Sequence, residues 1–235
     1  MKNTPMKTHV LLALATATAA HGAVSFSLPG TSETSTWDQL DNSNPYWADN
    51  GYPTTYPGAA PWPASIAPNG AASTGDAEFM KVSGGGYFAG SSIYDAGSSG
   101  TFSVTDTSAL AGLSTIILQV DAGTPVGVAP VLNYNGGSQA LAAGFFAVVD
   151  GDHETVDFGT GATSPTANHV WQWDLSGLGV SSYEIVWGST ADNHLTQYEI
   201  SLTAGDTYAP VQGVPEPSAA LLGAATLLLL ARRRR

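Results

Sequence analysis

The segment His169-Val-Trp-Gln-Trp-Asp-Leu-Ser-Gly-Leu-Gly-Val-Ser-Ser-Tyr-Glu-Ile-Val-Trp-Gly188 decides the fold class. Large apolar side chains occupy every second position on both sides of a turn-like Ser-Gly-Leu-Gly at 176–179. They are Trp171, Trp173, Leu175, Tyr183, Ile185 and Trp187. Because alternate residues of a strand point to opposite faces, this pattern predicts two strands, each with one apolar and one more polar face.

Short runs of β-branched and aromatic residues, separated by Gly, Asp and Asn, continue this pattern along the chain. Val24–Leu28 predicts a first strand and Leu113–Val120 a central one. The other predicted strands cover 77–82, 86–94, 100–105, 128–134, 140–149, 155–158 and 196–202. Asn135-Gly136 and Asp150-Gly151 supply turn residues between them. The spacing predicts an all-β, two-sheet β-sandwich with a jelly-roll-like arrangement.

Prolines and aromatic residues are concentrated in residues 37–68. Proline at this density excludes both helix and central strand, so we expect a long ordered loop or a partly mobile flap. An aromatic side chain in such a loop is less obliged to belong to the core than Trp171, Trp173 or Trp187. We therefore predict glycan contacts here, the alternative being aromatics that pack on one another. The candidates are Trp47, Tyr52, Tyr56 and Trp62.

The beginning of the chain has the order of a signal peptide. Lys2 and Lys7 form a basic start, Val10–Ala20 is a short apolar segment, and small residues follow it. Basic, apolar and small residues in that order are typical of export. Residues 1–23 are predicted to be a signal peptide removed by signal peptidase, with residues 24–213 forming one domain.

The end of the chain has a polar, an apolar and a basic part. Val214-Pro215-Glu216-Pro217 is followed by an apolar run, Ala219–Ala231, and by Arg232-Arg233-Arg234-Arg235. As a helix the run would cover about 20 Å, less than the roughly 30 Å of a hydrocarbon core. The arginines favour the cytoplasmic side of a membrane. These features predict a short transmembrane helix over 218–231 that serves as a temporary tether.

Taken together, these C-terminal residues, 214–235, resemble the PEP-CTERM sorting signal of Gram-negative bacteria. The resemblance implies recognition by an exosortase, a membrane-embedded cysteine transpeptidase, with cleavage near Pro215-Glu216-Pro217. It also implies release or attachment at the cell surface and an association with exopolysaccharide. The strands of 169–202 loosely resemble the β-sandwich domains that such proteins often carry, many of them like carbohydrate-binding jelly rolls.

The predicted domain is strongly acidic. Residues 24–213 contain one basic residue, Lys81, against 18 acidic ones, a formal charge of −17 with neutral histidines. Such a surface repels nucleic acid and anionic lipid, which excludes both as partners. It could attract divalent cations, or it could serve solubility alone. The chain has no cysteine, so disulfides, thiolate metal sites and cysteine nucleophiles are excluded.

The densest acidic cluster lies in 150–157. Its carboxylates, Asp150, Asp152, Glu154 and Asp157, present oxygen ligands of the kind that Ca²⁺ prefers. The later ligands of an EF-hand are missing, and a solvated hairpin turn built on Asp150-Gly151 is the favoured alternative. A stabilising ion held by Asp or Glu side chains of two loops is a further possibility.

No motif predicts a catalytic site or an organic cofactor. The histidines at 153, 169 and 194 are widely spaced, and nothing pairs the strand carboxylates Glu78, Asp174, Glu184 and Glu199 as glycoside hydrolysis would require. The expected function is that of an exported, exosortase-processed surface or extracellular-matrix protein without enzymatic activity, associated with exopolysaccharide. The alternatives are a secreted glycosidase-like enzyme and a purely structural module without ligand.

Overall fold

The computed structural model describes residues 26–40, 59–88, 92–94, 99–156, 162–189 and 195–211. These residues form twelve β-strands and no helix, which confirms the all-β prediction. No helix long and apolar enough to cross a membrane occurs within these ranges. The predicted signal peptide, sorting motif, transmembrane helix and arginine cluster lie outside the described residues.

All of the strand pairings are antiparallel. The strands are β1 Ser32–Trp37, β2 Glu78–Gly84, β3 Tyr87–Phe88, β4 Ile93–Tyr94, β5 Gly100–Asp106, β6 Thr115–Ala122, β7 Val128–Tyr134, β8 Leu141–Ala142, β9 Phe145–Val156, β10 Thr163–Asp174, β11 Tyr183–Gly188 and β12 Thr196–Gly205.

The strands form two sheets. Sheet A has the order β3-β4-β12-β6-β10-β9, with β1 also paired to β12. β12 has ten residues, and two strands pair with the same edge of it. β1 pairs with residues 200–205 and β4 pairs with residues 196–197. Sheet B has the order β2-β5-β11-β7-β8.

The two sheets bury one common core. Ile116, Leu118 and Val120 alternate along β6 of sheet A and belong to the same buried cluster as Phe102 and Val104 of sheet B. Trp171, Trp173 and Trp187 are buried, as the alternation in 169–188 predicts. Apolar faces that meet in this way are consistent with the predicted β-sandwich.

Phe79 lies at the centre of an aromatic cluster in this core. Its ring centroid is 5.9 Å from that of Trp37 in sheet A, 5.5 Å from Trp62 in the preceding loop and 5.8 Å from Trp187 in sheet B. The buried indoles also find hydrogen-bond acceptors, since Trp37 Nε1 donates to Ile66 O and Trp187 Nε1 to Gln197 Oε1. The cluster therefore connects both sheets to the loop that precedes β2.

The first strand differs from the prediction. Within Val24–Leu28, residues 26–28 are not a strand, and β1 lies at Ser32–Trp37 instead. The sequence of β1 is largely polar, and on its inner face Glu33 and Ser35 precede Trp37. Polar residues at inward positions conceal the apolar alternation on which strand prediction depends.

The predicted turn at Asp150-Gly151 is wrong. The two strands expected at 140–149 and 155–158 are largely one strand, β9, which runs through these residues. Asp150 pairs with Ala167 and Glu154 with Pro165, so residues 151–153 lie opposite Thr166 alone. The strand accommodates Gly151 in a β-bulge with two extra residues, because extra residues on one strand of a pair bend that strand without ending it.

The turn at Asn135-Gly136 is confirmed. Asn135 and Gly136 have φ angles of 52° and 70°, and Gly137 N donates to Tyr134 O at 2.9 Å. Two consecutive positive φ values are those of a type I′ turn, whose twist matches that of the flanking strands.

We expect Gly136→Ala to lower the free energy of unfolding by about 1 kcal/mol, because alanine is strained at positive φ. An added Cβ at 136 meets no atom within 4 Å, so the backbone conformation alone carries the effect. Urea denaturation of the full chain measures the loss. The matched control is Gly144→Ala, where the nearest atom is 4.0 Å away. Equal losses in both variants would contradict the type I′ assignment.

Candidate functional site

An open cleft of about 690 Å³ lies between the sheets, at the edge formed by β9 and β8. Sheet B ends there in β8, which has two residues, whereas β9 of sheet A has twelve. The inner face of β9 therefore extends past its neighbour in sheet B. The floor of the cleft comes from β9 and β10, and its walls come from β7, β8 and residues 123–127.

A row of aromatic rings forms the floor of the cleft. Phe146 lies opposite Trp171 in the β9–β10 pair, with their ring centroids 5.3 Å apart. His169, two residues before Trp171 and on the same face, has its centroid 5.9 Å from that of Trp171 and 6.4 Å from that of Phe146. Trp171 and His169 are buried, but Phe146 is 55% exposed and the neighbouring Val148 is 52% exposed. The cleft thus presents an aromatic ring and an aliphatic side chain to solvent.

The cleft has few polar groups. Among its described lining residues, His169 is the one titratable side chain and Thr124 the one hydroxyl. His169 Nδ1 is 3.1 Å from Ala167 O. Burial lowers the pKa of His169, although hydrogen bonds to the carbonyls of Val120 and Ala167 oppose this shift. The imidazole is therefore neutral at pH 7, and the lining can bind a ligand mainly through apolar and stacking contacts.

Of the predicted glycan contacts, the one within the described residues, Trp62, does not line this cleft. Trp47, Tyr52 and Tyr56 lie outside the described residues. Trp62 is only 1% exposed and stacks on Phe88, with ring centroids 5.2 Å apart. The prediction for Trp62 is corrected, because an indole that is enclosed in the core cannot stack on a sugar.

The predicted calcium ligands lie along an extended strand. Asp150 and Glu154 are exposed on β9, while the side chain of Asp152 and all of Asp157 lie outside the described residues. In the described ranges, no three His, Asp or Glu side chains are placed together as the ligands of one ion. Calcium binding by this segment stays a prediction.

His153, within the same acidic segment, has a different role. Its Nδ1 is 2.7 Å from Asp121 Oδ2, and its ring stacks on Tyr198 with centroids 5.3 Å apart. Thr166 Oγ1 accepts from His153 N and donates to His153 O. These contacts lie on the outer face of sheet A, opposite the cleft, and join the edge strand β9 to β6 across β10.

The four carboxylates considered for glycoside hydrolysis are spread over both sheets. Glu78 and Glu184 lie on either side of Thr105 on the outer face of sheet B, whereas Asp174 and Glu199 belong to sheet A. None of the four lines the cleft. Hydrogen bonds from Ser176 hold the pKa of Asp174 below its usual value. His194 lies outside the described residues.

Comparison of the chain with family models, curated proteins and solved structures found no match.

Sequence reasoning missed the cleft because its residues carry no distinctive pattern. Phe145-Phe146-Ala147-Val148-Val149 reads as a continuous apolar run, which predicts a buried strand rather than an exposed face. The exposure of Phe146 and Val148 follows from the shortness of β8, which is a property of the neighbouring sheet.

We expect Gly151→Ala to lower the free energy of unfolding by about 1–3 kcal/mol, because an added methyl group would overpack this site. The new Cβ would collide with Asp121 Oδ1 and Thr166 Oγ1. The variant should also shift the imidazole NMR signals of His153, which depend on the contact with Asp121. Gly144→Ala again serves as the control. A variant with unchanged stability and an unchanged His153 spectrum would show that the bulge is not tightly packed.

Proposed function

We propose that the protein is an exported, exosortase-processed cell-surface or matrix protein whose β-sandwich binds a neutral exopolysaccharide without chemical turnover. The observation that carries the glycan-binding part is the exposed ring of Phe146, backed by Trp171 and His169 in an open cleft. The apolar faces of sugar rings suit such an aromatic surface, and Thr124 could meet a hydroxyl group at its rim. We also propose the jelly-roll-like arrangement, because the chain passes from one sheet to the other at most of the connections between consecutive strands.

Charge favours a neutral glycan over an acidic one. The domain carries 18 acidic residues and one lysine over 24–213. Like charges repel over roughly 8–10 Å at physiological salt, so a polymer of uronic acids would be disfavoured near this surface.

A binding role is favoured over catalysis by the chemistry of the cleft. His169, the titratable group among its described lining residues, is buried and stacks on Phe146 and Trp171. Acid–base hydrolysis of a glycoside needs two carboxyl groups on opposite sides of the bond. The cleft lining supplies apolar surface for adhesion instead.

The C-terminal connection supports display from a tether. Val211 N donates to Gln172 Oε1, and Gln172 Nε2 donates to Ala209 O, both at 2.8 Å. The chain is thus held to the outer face of sheet A up to Val211. Two residues, Gln212 and Gly213, separate it from the proposed sorting motif at Val214. A folded domain so close to the tether would remain beside the membrane until the chain is cut.

We expect Pro215→Ala combined with Glu216→Ala to prevent C-terminal processing, because the proposed recognition motif is removed. The full-length chain should then accumulate in the inner-membrane fraction, as measured by intact mass and fractionation of the producing bacterium. Ser218→Ala, just outside the motif, is the matched control. Unchanged processing and location in the double variant would rule out the proposed sorting.

We expect Phe146→Ala to weaken binding to a neutral polysaccharide about tenfold, equivalent to about 1.4 kcal/mol. The lost ring is half exposed, so the fold should tolerate the change. Leu178→Ala removes another exposed apolar side chain, in the turn between β10 and β11, and is the control. Affinity electrophoresis in neutral and in uronic-acid polysaccharide measures the effect. Equal retardation of both variants and the parent would contradict binding in the cleft, and absence of retardation in every gel would favour a structural module.

A further inference from the structure

Strand β9 forms one edge of sheet A. It is the last strand in the order of that sheet, and among the described residues it pairs with β10 alone. Alternate residues along an edge strand direct their backbone N–H and C=O groups away from the sheet, where a further strand can pair with them. The chemistry of this edge therefore fits an extended segment of polypeptide.

The first five residues of β9 are apolar on both faces. Residues 145–149, Phe-Phe-Ala-Val-Val, contain no charge and no proline. Phe146 and Val148 are more than half exposed on the inner face, and the other three residues are half-buried on the outer face. We call these five residues the apolar edge.

The remainder of β9 carries features that keep an edge strand from pairing with another chain. Asp150 and Glu154 are exposed carboxylates, and residues 151–153 form the bulge opposite Thr166. Charges and bulges are common means by which natural sheets protect their edges. The strand is thus protected over its second part and open to pairing over the apolar edge.

We propose that the apolar edge binds the apolar edge of a second copy of this chain, in an antiparallel pair centred on Ala147. A two-fold axis perpendicular to sheet A would then join the two copies into one continuous sheet. Phe146 lies opposite Val148 of the second copy, and Phe145 lies opposite Val149 of the second copy. Pairs of aromatic and β-branched residues are among the favourable cross-strand pairs.

The sequence favours this register over its neighbours. Residues directly opposite each other in an antiparallel pair point to the same face, so the centre of a two-fold pair moves by whole residues. A centre at Val148 would place Asp150 against Phe146. A centre at Phe146 would place Val148 against Gly144, where the chain passes from β8 to β9. The centre at Ala147 is the one that matches all five apolar residues with one another.

Repulsion between the acidic domains limits the strength of this contact. Each copy carries a formal charge of −17 over 24–213. Within the paired strands, the two Asp150 carboxylates are about 20 Å apart, since they are separated by six residue positions of ~3.4 Å. That distance is about twice the Debye length at physiological salt, so their repulsion is largely screened. The contact is small, and we expect a reversible dimer with a dissociation constant in the micromolar range.

The pairing has a consequence for the cleft. A two-fold axis perpendicular to sheet A keeps the inner faces of both copies on one side, so Phe146 of each copy lies on the same surface. The two cleft floors would join, and a long polysaccharide could contact both copies. This consequence rests on the proposed function, whereas the dimer itself does not.

A first test uses the absence of cysteine from the chain. Ala147 lies on the proposed axis, so a substitution there faces its own copy, and opposed residues of antiparallel strands are close enough for a disulfide. We expect Ala147→Cys in the full chain, purified in mild detergent at high micromolar concentration, to form a disulfide-linked dimer in a glutathione redox buffer. Leu178→Cys, exposed in the turn between β10 and β11, is the control and should remain mainly monomeric.

A second test places charge on the axis. Ala147→Glu and Ala147→Lys each bring like charges together, and each should raise the dissociation constant at least ~10-fold in sedimentation equilibrium. An equimolar mixture of the two variants should dimerise again, because unlike charges then lie opposite each other. Variants that had lost their fold would not be rescued by mixing, so failure to fold is separated from failure to pair.

Three outcomes overturn the proposal. They are a parent chain that is monomeric at every concentration, an Ala147→Glu variant that dimerises like the parent, and a Leu178→Cys variant that cross-links as readily as Ala147→Cys. Association of the C-terminal apolar run in detergent would give the second of these outcomes.

Salt provides a further readout that needs no glycan. Added NaCl should strengthen the dimer, because it screens the repulsion between the two acidic domains. A dimer that forms in this way without any retardation by polysaccharide would support the pairing and contradict the proposed glycan binding.

Discussion

Contact of Phe79 with aromatic rings from both sheets is the interaction on which the arrangement of this domain depends. Trp37 is contributed by sheet A, Trp187 by sheet B and Trp62 by the loop before β2, and all three are within 6 Å of Phe79 by ring centroid. The indole nitrogens donate to acceptors inside the protein, so the large apolar surfaces are buried without loss of hydrogen bonds. In a chain without cysteine, such a cluster holds the layers together.

Much of this architecture follows from local patterns in the sequence. Alternation over 169–188 predicts β11 and the end of β10, and Asn135-Gly136 predicts the type I′ turn after β7. The errors occur where tertiary context overrides local chemistry. Gly151 does not begin a turn, because β9 remains paired with β10 on both sides of it and passes residues 151–153 through a bulge. β1 was missed because Glu33 and Ser35 are polar residues at inward positions.

The candidate sites were less predictable than the fold, since each depends on distant segments that meet. The exposure of Phe146 is set by the two-residue length of β8, and nothing in 145–149 encodes it. For Trp62 the sequence suggests more exposure than the structure has, because this aromatic residue lies in a proline-rich segment and yet belongs to the core.

The two hydrogen bonds between Gln172 and residues 209–211 have a mechanical consequence. For a domain held by its C-terminal end, a pulling force reaches these bonds first and then β12. That strand is paired on both edges, with β6 on one side and with β1 and β4 on the other. A force along β12 must break its hydrogen bonds with the neighbouring strands together. This requires a larger force than breaking the same hydrogen bonds one at a time. The Gln172 contacts would therefore break first and lengthen the connection under drag, before the strand order of the domain is disturbed.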